Sequence, residues 1–362
     1  MKVILESSTL FVKKHTGIPN YIHNLYEGIS TINEIDVLLA FRFKKFFSSK
    51  TNYQRNLLKN KHLWHFNDHL YFNNKVDVVH SLHTPFLNHK SALKVATIHD
   101  LAVHLPEFEQ FKFANEYFKK KRMALFKEFS KKADVIIAVS EKTKQDYLSF
   151  FNFPEHKIHV VPLAPSVKFL NVSKAENESQ LRVLKLQSQN YFISIGGISL
   201  RKNAFNLIKG FHLSKSSQQY KLVIVGKIET SFEPLVNNYI EENNLKERII
   251  ITSYVSDSLL QILYMNAKGF LFPTFYEGFG IPILEAMQMK LPVLTSTTGA
   301  APETANGFAT LVDPYDPADI ANGIDALHNV TSNTILNAHN YANSLTWPQT
   351  AKMTADVYKK YL

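Results

Sequence analysis

Two carboxylates, Glu277 and Glu285, flank a short segment rich in glycine and proline, Pro273-Thr-Phe-Tyr-Glu277-Gly278-Phe279-Gly280-Ile281-Pro282-Ile-Leu-Glu285. A carboxylate accepts hydrogen bonds from vicinal hydroxyls, so one of the pair can hold a ribose and the other a second sugar. Gly278 and Gly280 let the backbone come close to a ligand, and Pro282 suits the first turn of a helix whose free amides favour a phosphate. The plainer alternative makes Glu285 a favourable charge near a helix N-terminus and Glu277 an exposed turn charge.

Other segments add chemistry of the same kind. Gly196-Gly197-Ile-Ser-Leu-Arg201-Lys202-Asn203 pairs a flexible turn with two adjacent cations, which can stabilise negative charge that develops on a leaving group. Thr97-Ile-His99-Asp100-Leu places a histidine at the end of an apolar run, and Thr16-Gly17-Ile-Pro-Asn-Tyr21 places a glycine shortly after another. Either can be structural, a hydrogen-bonded histidine and a simple turn glycine. Lys119, Lys120, Lys121 and Arg122, with Phe111, Phe113, Phe126 and Phe129 nearby, form a basic and aromatic helix that suits a solvated face, an anionic lipid surface or a lipid-diphosphate acceptor.

These residues need elements to position them. Short β-branched runs alternate with helix-length segments: Val3 to Leu5, Val37 to Phe41, Val76 to His80, Lys94 to Ile98, Val135 to Val139 and Ile158 to Val161 in the first half. The second half repeats the pattern at Tyr191 to Ile195, Leu222 to Val225, Ile249 to Thr252, Gly269 to Phe272, Val293 to Thr295 and Ala309 to Val312. Six such strands in each half predict two Rossmann-like, doubly wound parallel sheets, with ligands beyond the carboxyl ends of the strands. The expected division is an N-terminal domain over 1–165, a linker over 166–189 where polar residues lack periodicity, a C-terminal domain over 190–346 and a terminal helix over 347–362 that docks back on the body.

Composition narrows the function classes. The 362 residues, 45% hydrophobic, can build two cores, and no apolar run is long enough to span a membrane, so a cytoplasmic protein is expected. With no cysteine, disulfides, thiolate nucleophiles and Cys-based metal sites are excluded. Residues 1–165 carry 24 Lys and Arg against 15 Asp and Glu, leaving 17 against 16 for the rest, so the excess of +10 sits almost wholly in the first half. No nucleic-acid module accompanies it, so a nucleic-acid partner is not expected. His62, His65, His69, His80, His83 and His89 crowd together, but without a supporting carboxylate cluster they do not make a metal site, and Asp-x-Asp is absent.

The segment from Glu277 to Glu285 resembles the Glu-x7-Glu signature of glycosyltransferase family 4. The likeness extends to Ile251 through Ala267, which is similar to the family's base-recognition segment and includes Tyr254 and Val255, and to Leu291–Ser296, Ala301-Pro-Glu303 and Leu311-Val-Asp-Pro314. It implies a GT-B fold, two Rossmann-like domains facing a central cleft, and a retaining, metal-independent transferase that needs no cofactor beyond its nucleotide diphosphate sugar. By the same resemblance, Arg201 and Lys202 clamp the diphosphate and Glu285 holds the ribose. Glu277 holds the donor sugar, and Gly197 with Gly278, Phe279, Gly280 and Ile281 lines the donor. His99 reaches into the cleft and Gly17 faces the diphosphate or acceptor, although the common form of that loop has two adjacent glycines. The combination of Thr-Gly-Ile-Pro-x-Tyr with His-Asp-Leu favours GDP-mannose over UDP-sugars, and a glycan or lipid-diphosphate acceptor in surface polysaccharide synthesis, with peripheral contact at the inner membrane face. Alternatives are a GT-B phosphorylase or nucleotide-sugar epimerase, or a catalytically silent sugar-nucleotide or membrane-binding protein.

Overall fold

A computed structural model describes residues 1–11, 17–48, 60–66, 75–106, 115–166 and 172–362. Thr16, His69, Phe111, Phe113 and residues 167–171 lie outside the described residues. The chain forms two units, one of 1–164 with 345–362 and one of 165–344.

The first unit holds seven parallel strands, β1 (Lys2–Glu6), β2 (Asp36–Arg42), β3 (His62–His65), β4 (Val78–Ser81), β5 (Leu93–Ile98), β6 (Val135–Ala138) and β7 (Ile158–Val160). Their order is β3-β2-β1-β4-β5-β6-β7, so the winding reverses between β1 and β4. Six strands were expected, and the seventh is β3. His62-Leu-Trp-His lacks the continuous apolar run of an inner strand because it sits at the edge, paired only with β2, and keeps three of its four residues partly exposed. Among the described residues before the linker, α1 (Ile18–Ser30), α2 (Glu116–Lys132) and α3 (Glu141–Phe150) pack here. The side of the sheet under α2 and α3 is filled by Ile98, Phe126, Phe129, Ile136 and Tyr147.

The second unit holds β8 (Tyr191–Ile195), β9 (Lys221–Val225), β10 (Ile249–Thr252), β11 (Gly269–Phe272), β12 (Val293–Ser296) and β13 (Thr310–Val312), in the order β10-β9-β8-β11-β12-β13. Winding reverses between β8 and β11, the place where a doubly wound sheet opens a crevice for ligands. Its helices are α4 (Lys174–Val183), α5 (Ala204–Leu213), α6 (Glu233–Glu242), α7 (Asp257–Asn266), α8 (Ile281–Gln288), α9 (Ala301–Ala305), α10 (Pro317–Ala326) and α11 (Ser332–Ser344). Helix α4 occupies a stretch expected to be linker. Its polar composition hides it, since Leu181 is its sole buried side chain, yet the Ser173 hydroxyl accepts from Glu176 N–H and caps it.

The chain then returns to the first unit as α12 (Trp347–Tyr361). Thr346 and Gln349 cap each other's backbone at its start, and Pro348 sits in the first turn. Helix α12 lies against α1 so closely that a side chain at Gly28 would meet Ala351 Cβ at 2.6 Å and the Trp347 carbonyl oxygen at 3.2 Å. An alanine inside a helix ordinarily stabilises relative to glycine. Here the sign reverses: Gly28→Ala is expected to lower stability by about 1–3 kcal/mol through overpacking. Adding Ala351→Gly restores part of the loss, as read from denaturant midpoints. An unchanged midpoint for Gly28→Ala would show that the two helices part freely.

Candidate functional site

In the second unit, the turn after β8 and the turn after β11 meet at the reversal point. Arg201 donates from Nη1 to Glu277 Oε1 at 2.8 Å and to the Tyr276 carbonyl at 3.1 Å, while Lys202 Nζ donates to the same Oε1 at 2.9 Å. The Lys202 ammonium also lies 4.7 Å from the centre of the Phe272 ring. Glu277 is buried, which by itself raises its pKa, but Arg201 and Lys202 together hold the carboxyl below its ordinary value. Two cations and one carboxylate thus meet beside the start of α8.

The backbone around Glu277 is clamped from three sides. Asn203 adopts a left-handed conformation and donates to the Pro273 carbonyl at 2.8 Å and the Pro314 carbonyl at 2.6 Å. Thr298 donates to the Phe275 carbonyl at 2.7 Å, and Ala300 N–H to the Glu277 carbonyl at 2.9 Å. Gly299, at φ 63°, lies so close that a side chain there would stand 2.9 Å from Glu277 N. Gly278, Phe279 and Gly280 are buried, and Gly280 takes φ 102° as it leads into α8, with Pro282 in the first turn. Ile281, the first residue of α8, is partly exposed.

Glu285 occupies a second position on α8, apart from that ion cluster. Burial pushes its carboxyl up to about 7, against hydrogen bonds from the Tyr264 hydroxyl, at 3.2 Å, and the Ser166 backbone and the more distant charge of Lys202. The plainer reading of Glu277 as an exposed turn charge does not hold, since Glu277 is buried, whereas Glu285 is partly exposed in the second turn of α8. Tyr264 is a partner the sequence did not single out; it stands 21 positions earlier, on α7, within a run that reads as ordinary core. Gly197 and Tyr254 lie at the carboxyl ends of β8 and β10, where Tyr254 is half-exposed and Val255 follows it in the same loop.

His99 and Gly17 belong to the first unit. His99 donates from Nε2 to the Leu82 carbonyl at 2.9 Å, and burial lowers its pKa to about 4, so the ring is neutral at pH 7 with Nδ1 left as the acceptor nitrogen. Its tautomer depends on the loop after β4, which Glu6 holds by accepting from the Thr84 hydroxyl while Ser81 donates to the Thr84 carbonyl. Tyr21 packs its ring edge-on to His99 at 4.7 Å and shares a hydrogen bond with Thr97 at 3.1 Å. Thr97 continues to His80 at 2.8 Å, and His80 to Tyr358 of α12 at 2.6 Å. That buried line of hydroxyls and imidazoles connects the last helix to the histidine, and sequence offered no signal for it. Gly17 caps α1 at φ 53° with open space around it, so its torsion explains the residue.

The basic helix α2 divides. Lys120 and Lys121 are exposed and Lys119 pairs with Glu116 at 3.3 Å, whereas Arg122 turns inward, 3.1 Å from His83 Nδ1 and 4.7 Å from the centre of the Phe126 ring. Among the described residues no three His, Asp or Glu side chains come together to hold a metal ion.

Glu285 makes stability depend on pH. Unfolded, it ionises near its ordinary 4.5, but folded only near 7, so its folded form binds the proton more tightly and stability is lost as pH rises between those values. Glu285→Gln removes that loss. The melting temperature of the variant relative to the parent is expected to climb by several degrees between pH 4.5 and 7 and to level off above; a constant difference would place Glu285 in a watery setting.

Comparison with known proteins places the chain in a family. Residues 17–164 match the model of Glycosyltransferase Family 4, and residues 176–341 match that of Glycosyl transferases group 1. The chain is 29% identical over 280 residues to O-antigen chain mannosyltransferase B of Escherichia coli, covering 76% of this chain and 72% of that protein. It is 26% identical over 238 residues to the serotype-specific mannosyltransferase WbdA of Escherichia coli, which covers 64% of this chain but 29% of WbdA. A glycosyltransferase of Rickettsia africae superposes with a TM-score of 0.73 at 16% identity, over 99% of this chain and 98% of that one, and shows the shared fold. Two family models, matched over residues 17–164 and 176–341, and the shared fold of the solved relative show that the chain belongs to glycosyltransferase family 4 and has the GT-B fold.

Proposed function

We propose that the chain transfers a sugar from a nucleotide diphosphate donor, GDP-mannose in preference to UDP-sugars, to a glycan or lipid-diphosphate-linked acceptor, with retention of anomeric configuration. The observation that carries this is the cluster of Arg201, Lys202 and Glu277 beside the N-terminus of α8. Relatives named as mannosyltransferases, one of them of the O-antigen chain, support mannose and a polysaccharide product.

In this reading the donor diphosphate sits against Arg201 and Lys202 and the first amides of α8, where fixed cations meet the charge that grows as the glycosidic bond breaks. Their two charges take the place that a divalent metal fills in other transferases, and no cofactor is needed. Glu277 turns part of its hydrogen-bonding capacity to the donor sugar hydroxyls, and Glu285 binds the ribose in its ionised form. The leaving phosphate accepts the acceptor's proton as the new glycosidic bond forms on the face it leaves, so no covalent enzyme intermediate arises. His99, neutral, offers its acceptor nitrogen to a sugar hydroxyl.

Arg201→Ala is expected to reduce the rate of sugar transfer from GDP-mannose by about 10²–10³, the scale of a lost charge stabiliser. Glu277→Ala is expected to abolish donor hydrolysis as well. Magnetic resonance of the early product reports its anomeric configuration: a product of inverted configuration would refute the front-face reading, and equal hydrolysis in parent and Glu277→Ala would refute catalysis at this cluster. Activity should persist in EDTA.

The exposed Tyr117 and Phe118 beside Lys120 and Lys121 support a second element of the proposal, contact of α2 with an anionic bilayer. The described residues include no helix long and apolar enough to cross a membrane. Sedimentation with vesicles containing anionic lipid is expected to carry the protein down, and Phe118→Ser with Lys120→Glu and Lys121→Glu to leave it in solution. Equal sedimentation of both proteins would refute the contact.

A further inference from the structure

The last turn of α7 is anchored through its carbonyls. Tyr191, at the start of β8, donates its hydroxyl to the Leu263 carbonyl at 2.8 Å. Gln189, in a left-handed conformation just before that strand, donates its backbone N–H to the Asn266 carbonyl at 2.7 Å and its side-chain amide to the Ala267 carbonyl at 2.9 Å. Asn266 in turn donates to Asn177 of α4 at 2.8 Å. Carbonyls at a helix end have no partner within the helix, so donors from outside it fix where this turn lies.

Tyr264 belongs to that turn. It is fully buried, its ring centre lies 5.8 Å from that of Phe270, and its hydroxyl donates to Glu285 Oε2 at 3.2 Å. The Ser166 backbone N–H donates to the same carboxylate. A carboxylate offers about four lone-pair positions. Among the described residues these two donors occupy two of them, and the two that are left match the neighbouring hydroxyls of a ribose. Among the described residues no cation pairs with Glu285: Lys202 Nζ lies 2.9 Å from Glu277 and acts on Glu285 only from a distance, so burial raises the Glu285 carboxyl to about 7. Burial and the Glu285 charge push the Tyr264 phenol well above its ordinary value, so it keeps its proton and serves as a donor.

On the nucleotide-sugar reading above, in which Glu285 holds the ribose, we infer that Tyr264 is a positioning residue for the donor: its hydroxyl, with the Ser166 amide, turns the Glu285 carboxylate so that the two remaining acceptor positions meet the ribose hydroxyls. The same hydrogen bond favours the charged form of the carboxylate. Tyr264 is buried and acts through Glu285, not on the donor itself.

Calorimetric titration of the full chain with GDP-mannose and with UDP-glucose across the neutral pH range tests this, because a diphosphate esterified at both ends does not titrate there. In the parent, affinity for the donor it accepts is expected to climb with pH to a plateau, with a midpoint near the Glu285 value of about 7. Tyr264→Phe keeps the ring on Phe270 and is expected to move that midpoint up by about one to two pH units, the worth of a hydrogen bond to a charged group. Tyr264→fluorotyrosine, whose more acidic phenol donates more strongly, is expected to move it down. Glu285→Gln is expected to bind more weakly and without dependence on pH in this range. A midpoint left in place by both Tyr264 variants, with affinity merely lower at every pH, would overturn the positioning role and leave the donor reading intact. One pH profile shared by the parent and Glu285→Gln would overturn the ribose contact and the positioning role with it, and a parent that binds neither nucleotide sugar would overturn the donor reading as a whole.

Discussion

Glu277 is a buried carboxylate, and burying one is costly unless opposite charge comes with it. Arg201 and Lys202 supply that charge from a loop more than seventy residues earlier, so the turn after β8 and the turn after β11 are bound to each other by an ion cluster. Much of the second unit's detail follows from it. Asn203 must take a left-handed torsion to place Arg201 and Lys202 on one side and α5 on the other, and its amide bridges the carbonyls of Pro273 and Pro314. Gly299 must be glycine because its backbone closes over Glu277. The same constraint keeps Arg201 and Lys202 together beside the N-terminus of α8.

The first unit solves a different problem. It carries all the excess positive charge of the chain, yet at the end of β4 and β5 two buried histidines, His80 and His99, are kept uncharged, at about 3 and about 4; two hydroxyls satisfy His80 and a carbonyl accepts from His99. A neutral imidazole offers one donor and one acceptor nitrogen, so His80, bonded at both, fixes the orientation of its neighbours. Through His80 the orientation reaches Tyr358, and the terminal helix becomes part of the support for His99. Arg122 is the one basic residue of the run 119–122 that joins this interior, and its charge helps to keep His83 and His99 neutral.

Much of this was legible in the order of residues. Thirteen strands of two parallel sheets were anticipated except β3, whose edge position removes the apolar signature by which inner strands are found. The glycines and proline before α8 announced a phosphate-ready turn, and Glu277 with Arg201 and Lys202 stood out as charged residues after strands. Helix α4 was missed because a helix that buries one leucine has almost no amphipathic pattern to read.

By itself, then, the sequence determined what is periodic or local: alternation of strand and helix, turns that require glycine, and the family signature that spans Glu277 to Glu285. Only the tertiary structure decided which charges meet. That Tyr264 donates to Glu285 and that Arg122 leaves the face of Lys120 and Lys121 for His83 both depend on strand order and register, which bring together residues distant along the chain. Hydrogen bonds and ion pairs act over a few ångströms in space and leave no period in the sequence, so the elements could be read in advance and their partnerships could not.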